Sequence, residues 1–243
     1  MIIAIGTIII AIVLIANSNN SDDNSSTNIS KEDTPKTKKE ISDYDTASII
    51  EGDENNGNIS DHVRGKVKNP KVIVVEYADL QCPGCASIMP KMHELYKDYG
   101  NQVAFIYRNF PITGHQNARA AAAAAESAGF QGKYWEMIET IYANRAEWMN
   151  ETGNKRTSTF VNLFKEIAPE GDVEKFRSDM ENPNIEKKVN FDYYLGREKD
   201  KVTATPAFYV NGSAVEITDD IVTSEDLKNA IEESIKSALK ETY

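Results

Sequence analysis

Residues 72–85 read VIVVEYADLQCPGC, and their order decides the fold. Val72 to Tyr77 is an almost continuous β-branched run, the pattern of a strand buried on both faces. The tetrapeptide Cys82-Pro83-Gly84-Cys85 follows at once. Pro83 stands where a helix accepts proline best, at its first position. Ile88, Met92, Leu95 and Tyr99 then recur at helical spacing, and Gly100 is a good stop. Pro90, inside this stretch, is expected to kink the helix by releasing a backbone bond. Val103 to Tyr107 (VAFIY) is a second buried strand. Strand, helix, strand in this order implies a right-handed parallel crossover.

Further along, the spacing predicts a long helical region: His115 to Ala128, Gln131 to Trp148, then Phe160–Ile167, Val173–Met180 and Ile185–Glu198. Trp135 and Trp148 are read as core of these helices. Strand signals return at Ala207–Val210. Asn211-Gly212 marks a tight hairpin turn, with Ala214–Ile217 as the return strand. A last helix is expected from Thr223 or Ser224, burying Leu227, Ile231, Ile235 and Leu239. The expected fold class is α/β, in the order βαβ, a helical insertion over about 113–200, then ββα.

A cysteine at the start of a helix points its sulfur at the free N–H groups of the first turn. Those groups and the helix dipole favour the thiolate. Cys82 is placed for this, and Cys85 is close enough to form a small disulfide ring or to resolve a mixed disulfide. A CxxC between a buried strand and a helix is a redox motif in the context such a motif requires. A ring this small constrains little of the unfolded chain, which argues against a merely structural disulfide. Thr205-Pro206 opens a predicted interior strand, where proline cannot donate to the ladder. A cis turn is one reason for a proline there; an ordinary strand-opening trans proline is another.

Composition narrows the functional classes. The 243 residues carry a net charge of −11, against the clustered cations that nucleic-acid binding needs. Two cysteines, with His62, His93 and His115 at no ligand-like spacing, argue against a zinc site. Met1 to Ala16 (MIIAIGTIIIAIVLIA) would be roughly 24 Å long as a helix, a little short of a ~30 Å hydrocarbon core. No Lys or Arg precedes it and the cleavage signal is weak, so an uncleaved signal anchor with the domain outside is favoured over a cleaved signal peptide. Residues 17–58 are polar, aperiodic and expected to form a disordered linker. Asn17 to Lys66 holds eleven acids against six bases. Residues 59–243 are left for one domain.

The stretch VIVVEYADLQCPGC resembles the DsbA-like family of extracytoplasmic oxidoreductases when taken with FIYRNFPI, His115, the Ala-rich helix, QGKYWEM and TPAFYVNG. Asp61-His62-Val63-Arg64-Gly65 also resembles the lead-in of anchored members. The resemblance covers Asp61 to the C-terminus. It implies a thioredoxin-like fold with an inserted helical domain. It implies Cys82 as exposed nucleophile, Cys85 as buried partner and Pro206 as a cis-proline packed on the disulfide. Thr205 resembles the residue whose backbone pairs with substrate. Glu76 matches a family acid near the cysteines. An acid in a buried strand is costly without a role or a partner, so it either relays the Cys85 proton or is a satisfied structural carboxylate. His115 is read as structural, bonding to the loop, and His93 as a surface residue.

The implied activity is thiol–disulfide exchange on exported protein thiols, with no cofactor beyond the Cys82–Cys85 disulfide. A quinone-linked membrane protein of the DsbB or vitamin K epoxide reductase type is the implied reoxidant, and a monomer is expected. One departure matters: the best-known oxidant of the family has a His between its cysteines, where this chain has Pro83-Gly84. A reductase or isomerase of the same fold is therefore the rival reading, with a non-catalytic adaptor behind it.

Overall fold

The computed structural model describes residues 39–218 and 223–242. A five-stranded sheet organises them, with strands β1 (Val63–Gly65), β2 (Val72–Ala78), β3 (Val103–Asn109), β4 (Ala207–Val210) and β5 (Ser213–Ala214). Their order across the sheet is β1-β3-β2-β4-β5. β2 and β3 are parallel and pair Val72 with Val103 through Ala78 with Asn109. Helix α1 (Pro83–Tyr99) joins them and runs through Pro90 as one element. β4 returns antiparallel to β2, and the Asn211-Gly212 turn leads into β5. Both turn residues have positive φ, 47° and 80°, as a two-residue hairpin requires.

The insertion between β3 and β4 contains α2 (Ala118–Gly129), α3 (Tyr134–Ala143), α4 (Arg145–Trp148), α5 (Gly153–Ile167), α6 (Val173–Asp179) and α7 (Pro183–Tyr194). A π-helical turn, Leu195–Lys199, closes it. The last helix, α8 (Ser224–Glu241), starts at a Thr223–Asp226 capping box.

Three layers follow from the alternation of side chains along the strands. One face of β2 and β3 buries Val72, Val74, Val103 and Phe105 against Ile88, Met92 and Leu95 of α1 and Leu227, Ile231 and Ile235 of α8. The opposite face buries Val75, Tyr77 and Ile106 with Phe110 and Val202. The insertion has its own core, in which Trp148, Phe160, Phe164 and Phe176 are fully buried. Each such side chain contributes about 1.5–3 kcal/mol relative to leaving it exposed. Both cysteines belong to this insertion core, so the redox pair lies where α1 meets the added helices.

Several expectations need correction. Residues 39–58, assigned above to a disordered linker, are folded. Tyr44 and Ile50 are buried against Phe191 and Leu195. Lys38–Tyr243 forms one compact unit, so the domain begins about twenty residues before the expected boundary. The physical reason is Arg108, a fully buried guanidinium on β3. It donates to the carbonyls of Thr46 and Ser48, both at 2.9 Å, and to Asp61 Oδ2 at 2.8 Å. A polar segment is thereby held by an internal charge. The return strand is shorter than the expected Ala214–Ile217, and the edge strand β1 had no counterpart in the sequence reading. Of the two tryptophans, Trp148 is buried but Trp135 only partly so, with Arg64 over its ring. The hydrophobic run 1–16 and residues 17–38 lie outside the described residues. Among those described, no helix is long and apolar enough to cross a membrane.

Candidate active site

β2 ends at Ala78, and the turn Asp79-Leu80-Gln81 carries the chain to Cys82, the N-cap of α1. That turn is fastened on every side. The Asp79 carboxylate, buried, accepts from Gln81 N (2.6 Å), Ile112 N (2.7 Å) and His115 Nδ1 (2.8 Å). The Asp79 carbonyl accepts the N–H of Cys82 at 2.9 Å. Gln81 accepts from Asn117 N and donates to the Met149 carbonyl, while Arg145 Nε donates to the Gln81 carbonyl at 2.6 Å. The helical insertion thus sets the position of the cysteine loop. Asp79, Gln81 and Arg145 were missed in the sequence, where acids and amides in a loop read as solvated. The spacing Asp79-x-x-Cys82, of an acid to a helix start, was the one available signal.

Both cysteines are free thiols. Cys82 is 8 % exposed and Cys85 is fully buried, so the expected exposed nucleophile shows only an edge. The cover is the loop before β4, in which Thr205-Pro206 is cis. Cys82 Sγ donates to the Thr205 carbonyl at 3.4 Å. A Cβ built on Gly84 would stand 3.3 Å from Pro206 Cδ and 3.7 Å from Cys82 Sγ, so glycine lets that loop close over the sulfur. The buried Thr205 hydroxyl has no partner at hydrogen-bonding distance.

The two thiols are driven apart in acidity. The hydrogen bond from Cys85 is the largest influence on Cys82 and, against the opposing effect of burial, brings its pKa down to about 5. The backbone N–H groups of Gly84 and Cys85 act in the same direction, although none makes a formed capping bond to the thiol. Burial pushes the Cys85 thiol well up, as do its bond to Cys82 and the negative charge of Glu76. Glu76 lies in the middle of β2, 2 % exposed, with Oε1 lacking any partner. Burial, then the Cys82 charge, pushes its carboxyl up to about 8. Tyr107 and Tyr142 bond to each other at 2.9 Å within the same buried cluster as Cys85.

His115 bonds to the cysteine loop as expected, and His93 is half exposed beside Glu139. Among the described residues, no group of His, Cys, Asp and Glu could hold a metal ion.

A family model described as thioredoxin matches residues 57–233. The chain belongs to this thioredoxin family, as a DsbA-like oxidoreductase. It is 32 % identical over 175 residues to a probable disulfide bond formation protein D of Bacillus cereus, covering 68 % of this chain and 74 % of that one. The oxidised crystal structure of BdbD from Bacillus subtilis shares the fold, with a TM-score of 0.60 and 24 % identity over 79 % of this chain and 98 % of that one. A Na(+)/H(+) antiporter NhaA 1 of Salinispora arenicola is 34 % identical over 153 residues. That match covers 63 % of this chain but spans only 22 % of the antiporter's length. This DsbA-like chain is an enzyme, a protein thiol:disulfide oxidoreductase.

Proposed function

We propose that this chain introduces disulfides into exported proteins outside the cytoplasm, through the pair Cys82–Cys85. The observation that carries the reading is the opposed acidity of the two sulfurs on one helical turn, with the buried Glu76, whose Oε1 is unpartnered, near them. In the oxidised chain a client thiolate attacks Cys82 Sγ. The Cys82–Cys85 bond breaks, and Cys85 leaves and takes a proton from Glu76. The client's second thiolate then attacks its own sulfur in the mixed disulfide, and Cys82 leaves as a thiolate. Two electrons pass from the client to the pair. Two protons leave the client: one restores the proton Glu76 gave to Cys85, and one goes to solvent. A low pKa makes Cys82 a fast leaving group and stabilises the reduced form, which is what makes an oxidant.

Thr205 offers its backbone to the client and Pro206 packs over the sulfurs. The carrier is the cysteine pair, with no separate cofactor. Exported thiols are the substrates, a quinone-linked membrane protein of the DsbB or vitamin K epoxide reductase type is the reoxidant, and the chain works as a monomer. The test is to mix the oxidised protein with a reduced, unfolded disulfide protein and to measure its equilibrium with glutathione. Net client oxidation is expected, with a potential between about −120 and −270 mV and nearer the oxidising end, since no His stands between the cysteines to push it further. A value near thioredoxin's without client oxidation assigns the reductase role instead.

A further inference from the structure

We propose that a groove beside the redox centre receives the client segment that follows the reacting cysteine, and that it selects acidic side chains there. The inference rests on the exchange reading above and names its substrate class. The groove, of about 470 Å³, lies between the segment leading to Pro206, the loop after β3 and the end of α7. Phe110, Ile112 and Val202 give it an apolar surface, and Arg197 and Lys201 line it as well. None of its lining residues is acidic, on a chain whose net charge is −11.

Two links tie the groove to the cysteines. Ile112 donates its N–H to Asp79, whose carbonyl holds Cys82 N. Thr203, also in the lining, is two residues before Thr205, the residue bonded to Cys82 Sγ. Two residues of extended chain span about 7 Å. Thr203 and Ala204 are exposed. A client strand lying antiparallel along Thr203–Thr205, with its cysteine at Cys82, carries its next residues into the groove.

The backbone leaves regular geometry at both cations. Arg197 is presented by the π-helical turn Leu195–Lys199, and Lys201 has φ 58°. Departures of this kind concentrate at functional sites. Asp200, between them, has both carboxylate oxygens engaged, by Thr46 Oγ1 (2.7 Å) and the Tyr77 hydroxyl (2.8 Å). Arg197 is 60 % exposed and donates to the Tyr193 hydroxyl, with Glu198 at 3.7 Å offsetting part of its charge. The site therefore suits an apolar client residue beside a carboxylate.

The test compares kcat/KM of the oxidised full chain with peptides that differ only in the third residue after their cysteine: Glu, Gln or Lys. The Glu peptide is expected to react about fivefold faster than the Lys peptide at low salt, as two screened surface pairs allow. The ratio should shrink toward one in 1 M salt. Arg197→Glu combined with Lys201→Asn should abolish or invert the order, asparagine being tolerant of a left-handed backbone. Arg197→Gln alone, at an exposed position, should about halve the preference. Failure of every peptide to exchange sinks the proposed function. Exchange at equal rates for Glu and Lys overturns the groove alone and leaves it to another occupant, such as the reoxidant. A Glu preference that survives the double change overturns it as well.

Discussion

Cys82 and Cys85 share one helical turn, yet the first caps the N-terminus of α1 with an edge exposed and the second is fully buried within the helix. Position alone separates a leaving group from a resolving thiol. In the reduced protein the Cys82 thiolate, followed by its ultraviolet absorbance, is expected to titrate with a midpoint near pH 5, while Cys85 resists alkylation until the protein unfolds. Equal reactivity of both thiols near the ordinary 8.5 would remove the mechanism. Glu76 supplies a separate test, with a sign that can be worked out. Its carboxyl is raised from the ordinary 4.5 to about 8, so between those values the folded protein binds more protons than the unfolded chain. Its contribution to stability is full below pH 4.5, declines as pH rises, and is lost above about 8. Glu76→Gln removes that decline. The variant should therefore gain on the parent by a few kcal/mol between pH 4.5 and 8, both measured reduced, and should exchange disulfides more slowly. A constant stability difference across that range would show that Glu76 does not carry a displaced proton.

At the scale of elements, the stretch 72–109 was legible because its signals are local: a β-branched run, a proline at a helix start, a four-residue apolar period and a second run. The cysteines came with it, since their meaning lies in the strand before and the helix after. What the sequence hid is held by long-range polar contacts. Residues 39–58 look like linker because they are polar, yet they answer a charge on β3. Arg108 and Lys188 both bond to Asp61, and Lys188 also bonds to Asp192, all four side chains essentially fully buried. Burial alone would raise the Asp61 carboxyl, but Arg108 and Lys188 hold it far below the usual range. Charges read in sequence as solvated are here the joint between the N-terminal segment, the sheet and α7. Removing residues 1–38 should leave stability nearly unchanged. Starting the chain at Gly57 strips Tyr44 and Ile50 from their cluster and two acceptors from Arg108. Two buried side chains at about 1.5–3 kcal/mol each, with charged donors left unpaired, put the loss on the order of 5 kcal/mol or more. That rivals the whole stability of an ordinary domain. Urea titration of the two truncations decides it, and equal midpoints would show that residues 39–56 add nothing.

For the molecule as a whole, direction of electron flow and place in the cell are one question. A potential between those of DsbA and thioredoxin gives an oxidant only where the surrounding thiol pool is not more reducing. In a reducing cytosol, poised at about −220 mV or below, such a pair would be kept as a dithiol and would work as a reductase. Outside the cytoplasm, under the proposed function, the same pair would be reloaded by a partner and would pass disulfides on. The two cysteines of this sequence make a single pair, and under the proposed function its electrons pass on to a separate membrane reoxidant. If the apolar run at residues 1–16 is the anchor its sequence suggests, it would keep the domain beside a reoxidant embedded in the same membrane. Full-length chain is therefore expected in the membrane fraction. Protease added from outside should release a folded fragment beginning near Lys38, where the compact unit starts. Acid-quenching and alkylating the cells before lysis should find Cys82 and Cys85 mostly as a disulfide. Recovery from cytosol with both thiols reduced would reverse the assigned direction, even if the purified protein exchanged disulfides well.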